Sequence, residues 1–220
     1  MPSATTPRKA PERPSSPSPA RERLLAAAGR VFYAEGIHAT PVDRVIEEAG
    51  VTRATFYRHF PGKESLVLAY VERRDAEVRA AAAEAAETID TPLDLLHALV
   101  AGVAAEICRP GFRGCLFLNA AAEYPDPGNP VRVAVAGHRA WLRELLADVL
   151  SRAGHPDPPA GAALLLMLRD GAMAAGYLES PEAARVRLTE AVSTLIREHR
   201  PGPGSQPPSG AAQATSRSQK

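Results

Sequence analysis

The stretch VTRATFYRHFPGK, residues 51–63, concentrates cations, aromatic rings and hydroxyl groups, and it contains no carboxylate. Thr52 is a good helix N-cap because its hydroxyl oxygen can accept a hydrogen bond from the first turn of backbone. Pro61 and Gly62 are residues that end a helix. We therefore predict a short helix over residues 53–60 that presents a basic, aromatic surface.

A second short helix is predicted immediately before it. Thr40 offers a capping hydroxyl, Pro41 suits the first helical position, and Asp43 supplies an acid in the first turn. Gly50 provides the turn between this helix and the next. Two short helices joined by a tight glycine turn have the proportions of a helix-turn-helix, whose second helix enters the major groove of DNA.

The spacing of the side chains assigns a function to each face of the second helix. Val51, Phe56 and Phe60 fall on one side and can pack inward. Arginine pairs with guanine edges, threonine contacts bases or thymine methyl groups, and tyrosine, histidine and lysine bind phosphate oxygens. The alternative is an ordinary solvated basic helix. The capped helix pair favours DNA, and the candidate contacts are Thr40, Thr52, Arg53, Ala54, Thr55, Tyr57, Arg58, His59 and Lys63.

These residues belong to a longer pattern over about residues 21–75, RLLAAAGRVFYAEGIHATPVDRVIEEAGVTRATFYRHFPGKESLVLAYVERRD. The pattern resembles the N-terminal domain of the TetR family of bacterial transcriptional regulators. The resemblance implies a nine-helix, Ω-shaped homodimer, usually a repressor, that binds a palindromic operator and is released by a small molecule. It places Arg53, Ala54, Thr55, Tyr57 and His59 on the recognition helix, and Thr40 and Lys63 at phosphates. Pro41 and Gly62 depart from the family pattern.

The remaining chain reads as further helices, so we predict an all-α protein without a strand. Thr91-Pro92 and Ser180-Pro181 repeat the helix-start signal, and glycine or proline clusters separate the other apolar periodic segments. The predicted helices after residue 62 cover about 63–87, 92–108, 115–124, 129–153, 159–179 and 181–199. The predicted domains are a DNA-binding domain at 21–65 and a ligand-binding and dimerisation domain at 66–200.

Composition limits the location and excludes several classes of protein. The 220 residues carry a net charge of +1 and only two cysteines, which are too few for a secreted disulfide framework. No apolar run approaches the roughly 20 residues of a membrane span, so a cytoplasmic location is expected. Both ends, residues 1–20 and 201–220, are rich in Pro, Ser and Gly and are predicted to be disordered tails.

The last two helices are predicted to form the dimer interface. The helix over 159–179 carries several small residues, which permit close helix approach, and the helix over 181–199 has an apolar face. Two such helices from each subunit can build a four-helix bundle. The alternative is that they complete the core of a monomer. The candidate interface residues are Leu165, Leu168, Gly171, Ala172, Ala175, Leu188, Val192 and Leu195.

The effector pocket is expected in the second domain, where aromatic walls and a few polar anchors would define it. His138 and Trp141 lie three residues apart and share a helix face, so they are the first choices. Each aromatic residue taken alone is equally compatible with an ordinary core position. The candidate pocket residues are Phe112, Phe117, Asn119, Tyr124, His138, Trp141 and Met167.

Two alternative functions use the cysteines. Cys108 and Cys115 flank a short loop, so a redox-responsive regulator that closes a disulfide is one hypothesis. The other is an enzyme with Cys115 as nucleophile and His97 or His138 as base. The sequence has no phosphate-binding loop, dinucleotide motif or zinc spacing, so we predict no cofactor, no metal and no enzymatic activity.

Overall fold

A computed structural model describes residues 18–198, which form nine α-helices and no strand. The all-helical prediction is confirmed, and every predicted boundary after residue 40 lies within about one residue of the observed one. The predicted tails lie outside the described residues except at residues 18–20, where Pro19 and Ala20 begin α1 instead of belonging to the tail. The helices are α1 Pro19–Glu35, α2 Val42–Ala49, α3 Arg53–His59, α4 Lys63–Thr88, α5 Pro92–Ile107, α6 Leu116–Glu123, α7 Pro130–Arg152, α8 Pro158–Leu178 and α9 Pro181–Glu198.

The N-terminal head consists of α1–α3 packed on the first turns of α4. Its centre is the fully buried Phe56 of α3, surrounded by apolar side chains of the other helices. Gly50 joins α2 to α3 with φ +59°, in the left-handed region that favours glycine, and so makes the turn tight. Thr52 caps α3 as predicted, because its hydroxyl oxygen accepts from the Thr55 amide at 3.1 Å.

Thr40 has a different role from the one predicted. Its side chain is completely buried, and its hydroxyl donates to the Gly36 carbonyl at 2.7 Å, closing the turn after α1. The N-cap of α2 is Pro41, and no side chain bonds to the helix there. The expected capping hydroxyl and the expected phosphate contact of Thr40 are therefore not available in this conformation.

The head is joined to the rest of the protein by the 26-residue helix α4. The predicted domain boundary between residues 65 and 66 falls inside this continuous helix, so α4 belongs to both parts. Gly62 precedes α4, and Ser65 bonds to both backbone groups of Gly62, at 3.3 Å to the amide and 2.7 Å to the carbonyl. These two bonds offset the missing side-chain cap.

The C-terminal body packs α5–α9 against the later turns of α4. Helix α8 packs between α7 and α9, α5 packs against all three, and α4 packs against α7 and α5. The short helix α6 contacts α7 and α4 and lies between the body and the head. No helix within residues 18–198 is long and apolar enough to cross a bilayer.

Candidate DNA interface and ligand cavity

The recognition helix α3 exposes a basic and aromatic face. Tyr57 is half exposed, and the side chains of Arg53, Ala54 and Arg58 also face solvent. Arg53 is not free, however, because a guanidinium nitrogen lies 2.5 and 2.6 Å from the two carboxylate oxygens of Asp43. Residues 51–63 contain no acid, but this partner comes from α2, ten residues away.

The other predicted contacts on α3 are partly engaged within the head. The hydroxyl groups of Thr52 and Thr55 lie 2.9 Å apart, so each is positioned by the other. The ring of His59 is half buried, with Nε2 3.4 Å from the Ser18 hydroxyl. The head thus holds these side chains in defined positions before any ligand or nucleic acid is bound.

Lys63 is the first residue of α4 and lies beside the turn after α1. Its ammonium group donates to the His38 carbonyl at 3.1 Å. Partial burial lowers the pKa of Lys63 below its usual value, and the nearby Glu123 opposes that shift. A helix N-terminus also favours anions, so Lys63 sits where its charge and the α4 amides can act together on a phosphate group.

Glu123, the last residue of α6, ties the body to the head. Its two carboxylate oxygens accept from the backbone amides of Ile37 at 2.9 Å and His38 at 2.5 Å, and the His38 ring lies 3.2 Å away. The ring of Tyr124 packs on the same histidine, with centroids 5.1 Å apart. No spacing rule links residues 85 positions apart, so the sequence analysis missed this contact.

The body encloses a cavity of about 330 Å³ between α4, α5, α7 and α8, with parts of α6 and α9. Two of the predicted pocket residues, Phe117 and His138, line it. The others are elsewhere: Trp141 packs under Arg79, Tyr124 contacts the head, and Met167 is two-thirds exposed. Phe112 also lies outside the cavity wall, and Asn119 borders a separate, shallower depression.

His138 is held rigidly in the cavity wall. Its ring stacks on Phe117 with centroids 3.6 Å apart, and its Nδ1 lies 2.7 Å from a carboxylate oxygen of Asp75 on α4. Burial lowers the pKa of His138 below its usual value, although the bond to Asp75 acts in the opposite direction. The bond to Asp75 thus connects α7 to α4.

Arg169 and Cys115 form the other polar part of the cavity wall, which the sequence analysis did not predict as a ligand site. A guanidinium nitrogen of Arg169 lies 3.2 Å from the Cys115 sulfur, and another lies 2.9 Å from Asp170. Burial alone would lower the pKa of Arg169, but Cys115 and Asp170 outweigh it and raise that pKa. A permanently charged group thus borders a largely apolar cavity.

The predicted dimer face is only partly exposed in the single chain. Five of its residues already lie in the subunit's own core: Leu165, Ala172, Leu188, Val192 and Leu195. They cannot supply much interface area, so this part of the prediction needs correction. Leu168 and Ala175 are partly exposed and Gly171 is exposed, beside the outward-facing apolar residues Leu164, Met167, Leu178 and Val186.

Two glycines of α8 explain the error. A Cβ atom on Gly176 would clash with Ile107 of α5, and one on Gly161 would lie 2.8 Å from Leu150 of α7. These small residues therefore permit close packing inside the subunit. Sequence spacing alone does not distinguish this role from close approach between subunits.

The two cysteines have separate partners in the described residues. Both are free: Cys108 lies 3.8 Å from the Pro181 carbonyl, while Cys115 accepts from Arg169. The partner of Cys115 is thus a guanidinium, whereas a nucleophilic pair would need a histidine there. No cluster of metal-ligating side chains is found within residues 18–198. Nothing in these contacts favours the redox or the nucleophile hypothesis.

An exposed basic helix-turn-helix joined to a helical body is the architecture of a DNA-binding regulator. Comparison with known families agrees. The family described as "Bacterial regulatory proteins, tetR family" matches residues 24–70, and "Tetracyclin repressor-like, C-terminal domain" matches residues 92–192.

Individual relatives give the same result. A crystal structure of a TetR-family transcriptional regulator from Streptomyces coelicolor is 46% identical, with a TM-score of 0.80 over 83% of this chain and 96% of that one. A structure from Streptomyces avermitilis is 26% identical, with a TM-score of 0.71 over 82% and 97%. The transcriptional regulator LmrA of Bacillus subtilis (strain 168) is 29% identical over 52% of this chain, but the match spans only 62% of LmrA.

The chain belongs to the TetR family of bacterial transcriptional regulators. The prediction made from residues 21–75 is confirmed, and the C-terminal match extends the membership to the body. The protein is accordingly a helix-turn-helix, DNA-binding transcriptional regulator, and its matched relatives are regulators.

Proposed function

We propose that the protein is a homodimeric repressor that binds a palindromic operator and is released when a small molecule enters the cavity of the body. The observation that carries the proposal is the continuity of the cavity wall with the DNA-binding head. Helix α4 contributes Ala82 and Ala85 to the cavity and begins at Lys63 beside the head. Helix α6 contributes Phe117 to the cavity and holds the head through Glu123.

In this proposal α3 lies in the major groove. Arg53 exchanges Asp43 for a guanine edge, while Tyr57, His59 and Lys63 bind phosphate groups. Thr52, Ala54, Thr55 and Arg58 complete the contact surface. Thr40 is buried and bonded to Gly36, so it does not bind DNA in this proposal. Instead it stabilises the turn that contains His38, whose carbonyl binds Lys63.

The dimer is proposed to form through the outward faces of α8 and α9. Leu164, Met167 and Leu178 are large apolar residues that are 41%, 67% and 76% exposed. Next to them, Leu168 and Ala191 border a shallow groove flanked by Arg187 and Glu190. A two-fold axis through this face makes the interface self-complementary and presents two α3 helices to half-sites about 34–36 Å apart.

Release follows if the effector binds the non-DNA conformation better than the DNA-bound one. A molecule in the cavity contacts α4 and α6 together, and these two helices hold the head at Lys63, Glu64 and Glu123. Asn129, at the start of α7, bonds to the Glu64 carboxylate and adds a third connection at the same end. A small displacement of this end changes the distance between the two heads of a dimer.

The test is selection of binding sites from random duplex DNA with the full chain, followed by measurement of stoichiometry and salt dependence. We expect an enriched palindrome that binds one dimer, or two side by side. A site without two-fold symmetry bound by one subunit would contradict the dimer model. Failure to enrich any sequence would contradict operator recognition by α3.

A further inference from the structure

The chemistry of the cavity wall specifies a class of ligand. Most of the wall is aliphatic, including Leu96, Leu99, Leu142, Leu146 and Val192. A volume of about 330 Å³ is at the lower end of the range of small-molecule pockets. Such a surface binds an apolar body of modest size by removing it from water.

The buried guanidinium of Arg169 interrupts this apolar surface. Its side chain is only 15% exposed, and its charge is balanced by one carboxylate, Asp170, which also binds Arg139 at 2.5 Å. Two arginines therefore share one acid. Of the five N–H groups of a guanidinium, one points to Asp170 and one to the sulfur of Cys115, which is a weak acceptor.

The remaining charged groups at the cavity balance one another. Glu77 and Glu106 border it, and both pair with Arg74, at 3.3 and 3.5 Å. Glu77 also pairs with Arg73, and Glu106 with Arg109. His138 is held by Asp75. Arg169 is thus the charged side chain of the wall whose positive charge is least compensated.

We infer that the cavity takes an apolar organic acid whose carboxylate is bound by Arg169. The aliphatic chain or ring of the ligand lies against α4, α5 and α7, and the carboxylate replaces the weak contact with Cys115. An anion gains charge-assisted hydrogen bonds at this position, whereas a neutral headgroup gains less and a cation is repelled. The inference deepens the proposed function, because it names the effector class of that same cavity.

The test uses three probes with the same ten-carbon chain and different headgroups: decanoate, decan-1-ol and decylamine. Binding is measured on the full chain without DNA by calorimetry and by the fluorescence of Trp141. This is the single tryptophan, and its ring lies 5.7 Å from that of His138 in the cavity wall. All probes stay below the concentration at which they self-associate.

We expect the wild-type protein to bind decanoate at least about 10-fold more tightly than decan-1-ol, and decylamine most weakly. R169M should bring decanoate and decan-1-ol within about 3-fold of each other, whereas R169K should keep the order with a smaller ratio. The matched control is R143M, because Arg143 is an exposed arginine of α7 that lies outside the cavity wall and does not bind Asp170. R143M should keep the wild-type ratio.

Several results would overturn the inference: no binding of decanoate, equal or tighter binding of decan-1-ol by the wild type, or an unchanged ratio in folded R169M. If R169M does not fold, an unchanged ratio in folded R169Q, which keeps a polar side chain without the charge, has the same meaning. The proposed function is judged separately by operator binding. Decanoate that binds with the expected preference but leaves operator affinity unchanged contradicts release, not the ligand class. Release by another compound, with no decanoate binding, contradicts the ligand class alone.

Discussion

The head and the body use arginine in opposite ways. In the head, Arg53 is exposed and bound to one acid, Asp43, that DNA can replace. In the body, Arg169 is largely buried and borders a mostly apolar cavity. An exposed charge gives salt-dependent, exchangeable binding. A buried charge has a larger electrostatic interaction energy with each partner, and it therefore selects one kind of ligand.

The largest effect is expected from breaking the dimer on which the head depends. M167E places a charge at the two-thirds exposed apolar residue of α8, close to its symmetry mate in the proposed dimer. Operator binding should weaken about 100-fold or more, because two linked heads gain affinity from each other. Gel filtration and operator titration measure this. V133E, at another exposed apolar residue on α7, is the control; a monomeric M167E protein with full affinity would contradict the proposal.

Next in size is the removal of the exchangeable arginine. R53A should lower operator affinity about 10- to 100-fold and relax the preference at one base of each half-site, because the guanine no longer has its bidentate partner. Competition with single-base operator variants measures both effects. R152A, at the far end of α7, removes the same charge and should change neither. If R53A keeps the base preference, another residue of α3 must recognise that base.

A smaller effect is expected at Lys63, where the proposed partner is a phosphate group. K63A should weaken binding by a similar factor, about 3- to 10-fold, for specific and random DNA alike. The slope of log K against log salt should fall by about 0.9 for each phosphate that Lys63 no longer neutralises. The measurement is an operator titration at several salt concentrations. An unchanged slope would mean that Lys63 serves only to hold the His38 carbonyl.

How far the sequence predicts each region depends on the range of the interactions. The caps of α3 and α5 are local, since Thr52 and Thr91 each bind an amide three residues on, and both were predicted. The contacts of Glu123 with His38 and of Cys115 with Arg169 span 85 and 54 residues, and only the fold brings them together. The helices of the body were therefore predictable, while its cavity was not.

Glu123 supplies one connection between the two regions. E123A should lower the free energy of unfolding by about 1 kcal/mol, because the Ile37 and His38 amides lose their carboxylate acceptor. E123Q, which keeps one acceptor oxygen, should lose less. Denaturant unfolding measures both, with E87A on the exposed side of α4 as control. Equal stability of E123A and wild type would show that α6 does not hold the head.

The smallest effect is expected from the pH dependence of the cavity wall. Because burial lowers the pKa of His138 below the ordinary value of 6.5, the unfolded chain binds more protons than the folded one as pH falls through 6.5. Stability should therefore decrease below this pH. The pKa of Asp75 is also lowered: burial would raise it, but Arg79 and His138 outweigh burial, so a further loss follows at more acidic pH.

H138Q tests whether His138, and not another titrating group, causes the loss of stability below pH 6.5. The variant loses the stack on Phe117 and is expected to be less stable at every pH, so only the slope between about pH 7 and pH 5.5 is compared. Urea unfolding at several pH values should give a shallower slope for H138Q than for wild type. H97Q, at the exposed histidine of α5, should keep the wild-type slope. Equal slopes in H138Q and wild type would mean that protonation of His138 does not oppose folding. The cavity wall around His138 would then be accessible to water, in contrast to the buried environment inferred for Arg169.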